Sequence, residues 1–170
     1  MNKVQALLAG LLVLSMGAAF AQTAPSASQS VSVTVQTLEE IAVSSGGEVS
    51  DSISNPDVIR AGNYTRDIAT ELTYTTNADA NRKITAAASY TNPAGTSFSA
   101  SVLASGFTAS NGSVALSGDA ALGANPVDLV SGIKNVAWAR ANFTLRVAIP
   151  DVPLIQGSYQ VSVVYTLMGY

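Results

Sequence analysis

Between Ala139 and Ile149 the chain alternates with a period of two. Ala139, Ala141, Phe143, Leu145, Val147 and Ile149 fall on one side, and Arg140, Asn142, Thr144 and Arg146 on the other. That rhythm describes a strand with one buried and one solvated face; a helix would repeat its apolar residues every third or fourth position. Pro150 and Pro153 close the run, because proline donates nothing to a ladder. Gln156-Gly157 then turns the chain into a second such strand, with Tyr159, Val161, Val163, Tyr165 and Leu167 on one face. Two long one-sided strands need a second layer over their apolar faces, so the pattern predicts stacked sheets.

Upstream segments repeat the theme. Val31, Val33 and Val35 alternate with Ser32, Thr34 and Gln36, which predicts a first strand from Ser30, followed by an apolar stretch over Leu38–Val43. Glu48–Gly62, with Asn55-Pro56 and Ala61-Gly62, is expected to be a long connection with at most a short strand around Val58-Ile59. Strand character returns at Tyr64, where Ile68, Leu72 and Tyr74 share parity, then over Ile84–Tyr90 and Phe98–Leu103. Asn111-Gly112 between apolar segments is the dipeptide of a type I′ hairpin turn. Val114–Leu116, Val127–Val130 and Ile133–Val136 complete the set as short strands. Turn signals every 8 to 12 residues or so, without sustained helical periodicity, indicate an all-β chain, an immunoglobulin-like or jelly-roll-like β-sandwich of about 8 to 10 strands.

The first 21 residues read as a cleaved signal peptide: Lys3, an uncharged apolar stretch over Leu7–Ala19, and the small-x-small site Ala19-Phe20-Ala21. The apolar run is too short for a comfortable span, so no membrane segment is expected after cleavage. Residues 22–29 then form a flexible leader and residues 30–170 a single β-sandwich domain, secreted to the extracellular side or the cell surface.

Composition removes most enzyme chemistry. The chain has neither cysteine nor histidine, so disulfides, thiolate nucleophiles and zinc sites built from these residues are excluded, and so is the commonest general base. The eight basic residues, seven once Lys3 is removed, never cluster, which argues against nucleic acid as a partner. Asn77-Ala-Asp79-Ala-Asn81 places oxygen ligands at calcium-loop spacing, yet Arg82 stands where the loop needs glycine and Ala88 where it needs a bidentate acid. Glu39 and Glu40 would point to opposite faces of a regular strand, which is wrong for paired-carboxylate hydrolysis. Ser131 and Lys134 share the spacing of a Ser-x-x-Lys dyad, but in a turn and strand rather than on a helix. We therefore expect no catalytic residues, no metal and no cofactor. Trp138 is the first candidate for a glycan contact, and core packing is the default for the six tyrosines. The sequons at Asn63, Asn111 and Asn142 matter only in a host that glycosylates them.

An export signal, a short leader, an alternating first strand Ser30-Val-Ser-Val-Thr-Val-Gln36 and a closing strand Gly157-Ser-Tyr159-Gln-Val-Ser-Val-Val-Tyr-Thr-Leu167 form one layout. In this the chain resembles secreted bacterial β-sandwich surface proteins of the spore coat U and archaic chaperone–usher pilin type. Those families usually carry a cysteine pair at the first strand, and this chain has none. The resemblance implies an immunoglobulin-like sandwich whose missing edge is filled by the leader strand of the next subunit. Val31, Val33 and Val35 would then be the donor-strand anchors, with Tyr159, Val161, Val163, Tyr165 and Leu167 bordering the acceptor groove. The expected function is a non-enzymatic structural protein, a filament (pilus or fimbrium) or coat subunit. Its partners would be copies of itself in a homopolymer and a periplasmic chaperone or other envelope protein. The alternative is a secreted cell-wall or glycan-binding module.

Overall fold

One-sided strands are stable only when their apolar faces meet, and the computed structural model, which describes residues 31–170, shows how they do so. The chain divides into two units, Met1–Thr34 and Val35–Tyr170. The first is described over residues 31–34, which are irregular and exposed. The expected signal peptide, leader and first-strand residue Ser30 lie outside the described residues.

The second unit carries β1 (Glu39–Ser45), α1 (Pro56–Ala61), β2 (Tyr64–Thr76), β3 (Arg82–Thr91), β4 (Ser99–Ala109), β5 (Ser113–Val114), β6 (Ala120–Ala121), β7 (Val127–Ile133), β8 (Val136–Ile149) and β9 (Gln160–Gly169). They form two antiparallel sheets, ordered β1-β2-β8-β4-β6 and β5-β7-β3-β9, stacked as an all-β sandwich. Strand β8 lies at the centre of the larger sheet. Its inward row Ala139, Ala141, Phe143, Leu145, Val147 and Ile149 is buried throughout, as the alternation predicts. It meets Ile84, Ala86, Leu129, Val130 and Ile133 of the smaller sheet. The Tyr90 hydroxyl ties the layers together: it donates to the carbonyl of Leu122 and accepts from the amide of Ala100.

Four local expectations are corrected. Residues 31–38 form no strand, because no sheet edge is paired with them. Val58 and Ile59 lie in α1 rather than a strand: Asn55 caps its start by accepting from the amide of Asp57, Pro56 occupies the first turn, and Gly62 ends it. Asn111-Gly112 does turn the chain, with Gly112 at φ 82°, but the turn is not a hairpin. It carries the chain from β4 in one sheet to β5 in the other, and a side chain at Gly112 would meet the carbonyl of Ser131 at 2.6 Å. Finally, Ile133 closes β7 and Val136 opens β8, so they do not share a strand.

The core is lopsided. Along β2 the inward residues Thr70, Leu72, Tyr74 and Thr76 are buried, whereas Tyr64, Arg66 and Ile68 are only half-buried. The inward row of β9 (Val161, Val163, Tyr165, Leu167) is half-buried from end to end. One end of the sandwich is closed, and at the other no strand among the described residues covers the inward rows.

Candidate interaction site

The uncovered end has a definite cause. Strand β1 pairs with β2 only from Glu39 opposite Thr76 to Ser45 opposite Glu71. At Gly46, φ 77°, the backbone leaves the ladder, and it passes so close to β2 that a Cβ would lie 2.5 Å from the carbonyl of Ala69. From Tyr64 to Thr70, β2 therefore has β8 on one side and, among the described residues, no ladder partner on the other. In the opposite sheet β9 pairs with β3 along its length, from Thr91 opposite Gln160 to Arg82 opposite Gly169. Among the described residues no strand pairs with the other edge of β9.

Between these two edges lies a cleft of about 1250 Å³. Its apolar lining comes from Ile68 of β2, Val147 and Ile149 of β8, Phe98 before β4, Tyr159 before β9 and Val161 in β9. Tyr90, Phe98 and Tyr159 stack edge to face, with ring centroids 5.8 and 5.7 Å apart. Residues 47–53 form one wall and residues 154–158 another. Two members of the expected acceptor row, Tyr159 and Val161, thus line the cleft directly. Val163, Tyr165 and Leu167 continue the same face of β9 towards the closed end, where Tyr165 meets Phe143 with ring centroids 5.8 Å apart. Burial pushes the Tyr165 hydroxyl up to a pKa of about 12.

The expected donor residues are accessible. Val31, Val33 and Val35 are 74%, 80% and 78% exposed, and they carry a strand pattern without a strand partner. Their exit from the sandwich is fixed by Asn77, whose side-chain oxygen accepts from the amide of Leu38 at 2.7 Å. Its side-chain nitrogen donates to the carbonyl of Gln36 at 2.6 Å, and its backbone amide to that of Leu38 at 3.2 Å. The calcium-loop spacing noted in the sequence therefore has a structural use: its first residue clamps the chain entering β1.

Other residues able to carry chemistry are dispersed. Glu39 pairs with Arg82, Glu71 accepts from Ser44 and Arg140, and Asp67 takes a two-toothed contact from Arg146 at 2.7 Å on each arm. The Arg146 guanidinium holds the Asp67 carboxyl below its ordinary range. Trp138 is 77% exposed and lies outside the cleft, at a bulge opposite Thr75, whose hydroxyl accepts from its amide at 3.2 Å. Its φ of 59° is unusual for a bulky residue. Among the described residues no second aromatic ring stacks on it.

The chain matches no protein-family model, no curated protein and no solved structure. The cleft wall formed by β2, β8 and residues 47–53 was missed in the sequence; the early stop of β1 at Ser44-Ser45-Gly46-Gly47 was its only signal.

Proposed function

We propose that the protein is a non-enzymatic structural subunit of the cell surface, of a pilus-like filament or a coat, that assembles by strand addition. Val31, Val33 and Val35 of one copy enter the cleft of the next and run along the free edge of β9. One observation carries this reading: among the described residues β9 has an open edge and a half-covered apolar row, while the same chain presents three alternating valines with no strand partner. Backbone pairing supplies affinity and the alternate side chains supply register. Burying three valines contributes about 5 to 9 kcal/mol before the cost of association.

Leu38 leaves the sandwich where Glu39 faces Thr76, and the cleft opens where Tyr64 faces Ile149. Those points lie at opposite ends of β2, roughly 40 Å apart at 3.3 Å per residue. Residues 31–37 extend at most about 25 Å, less than that span. Head-to-tail contacts that do not close build a fibre. The test is Val33→Asp in the chain starting at Gln22: a carboxylate at the middle anchor abolishes large species in light scattering while circular dichroism stays that of the folded sandwich. Fibres that persist in this variant would count against the reading.

The exposure of Trp138 supports a second reading, a glycan-binding module. It predicts retention on cell-wall polysaccharide that Trp138→Ala abolishes, with the protein monomeric throughout.

A further inference from the structure

The wall of the cleft formed by residues 47–53 differs from the others. It is irregular, and no residue from 47 to 54 makes a backbone–backbone hydrogen bond outside the regular elements among the described residues. Polar contacts hold it at one point. Asp51 pairs with Arg66 at 2.7 Å and accepts from the Tyr64 hydroxyl, and Arg66 reaches the carbonyl of Ser50 at 3.4 Å. Val49 is 44% exposed and Ile53 is half-buried.

Its sequence is informative. Val49-Ser-Asp-Ser-Ile53 has the same period-two form as Val31-Ser-Val-Thr-Val35: an apolar residue at each end, small hydroxyl residues between, and a difference in the middle, where Asp51 stands against Val33. We propose that residues 47–53 are a strap, an imperfect internal copy of the donor segment that occupies the rim of the cleft and is displaced when the segment of another copy enters. The inference rests on the strand-addition reading and adds the competitor. A strap without ladder bonds belongs to the easily opened part of a structure, and an ion pair this exposed holds weakly. Asp51 makes the strap an inferior occupant, because a carboxylate facing Arg66 and Tyr64 anchors at the rim where a valine would bury itself on the floor. The strap keeps the apolar floor partly covered until a better strand arrives.

Hydrogen exchange followed by mass spectrometry tests this, using the chain from Gln22 carrying Val33→Asp, so that it accepts a strand but donates none. The probe is a synthetic peptide of sequence Ser-Val-Ser-Val-Thr-Val-Gln. Displacement predicts that on peptide binding β9 exchanges more slowly while residues 47–53 exchange faster. It also predicts that adding Asp51→Asn speeds peptide association, on the order of two- to fivefold, with β8 amides still protected as the control for folding. Protection of β9 with unchanged or slower exchange in residues 47–53 would overturn the strap and leave strand addition standing. No protection of β9 at any peptide concentration would overturn both.

Discussion

Tyr165 shows at the scale of one residue how far the open edge of β9 is already desolvated. Its ring packs against Phe143, and burial raises its pKa to about 12 from the ordinary 10.0. Ionisation is thus harder in the native chain than in the unfolded one. The stability this group contributes is intact below pH 10 and is lost as pH rises towards about 12. Denaturant midpoints across that window should fall in the native sequence, and Tyr165→Phe, which keeps the ring and removes the proton, should flatten that part of the decline. An identical decline in the variant would show that another group sets it. Deep in the closed half, Leu72 is fully buried, so Leu72→Ala should cost about 2 to 5 kcal/mol in urea unfolding. A loss well under 1 kcal/mol would mean that the core repacks. Asn77→Ala should leave the sandwich folded and loosen the chain ahead of β1, read as faster exchange at the Leu38 amide.

At the scale of elements, β1 is short because Gly46 takes the chain out of the ladder. Gly46→Val should destabilise the sandwich by more than about 1 kcal/mol, since φ 77° and the carbonyl of Ala69 leave no room for a side chain. No change in the unfolding midpoint would contradict the placement of that turn. The elements legible in the sequence were those whose alternation ran long enough to exclude a helix. β2, β8 and β9 lie close to where Tyr64, Ala139 and Tyr159 announced them. Helix α1 was hidden because six residues are too few for a 3.6-residue period, although Asn55-Pro56-Asp57 and Gly62 carried its start and stop. At Asn111-Gly112 the turn was readable and its destination was not, since a dipeptide fixes local backbone angles but not the sheet the next strand joins. The site divides the same way. The alternating rows Val31–Val35 and Tyr159–Leu167 could be read from parity, whereas the lining of Phe98, Val147 and Ile149 depends on how two sheets stack, which period-two patterns leave open.

Across the whole molecule, one end of the sandwich is sealed by Leu72, Tyr74, Ile84 and Leu129, and the chain enters β1 there under the Asn77 clamp. The opposite end holds a cleft of mixed polar and apolar lining, beside an edge that no strand among the described residues pairs with. An exposed edge above a half-covered apolar row invites another strand, and Val31, Val33 and Val35 carry the alternation of one. Because residues 31–37 add nothing to either sheet, a chain starting at Leu38 should fold on its own. The most direct measurement is therefore light scattering with negative-stain microscopy on two proteins, residues 22–170 and residues 38–170, at equal concentration. Strand addition predicts polymers from the first and a folded monomer from the second. A stable monomer from both, with the same unfolding midpoint, would contradict it.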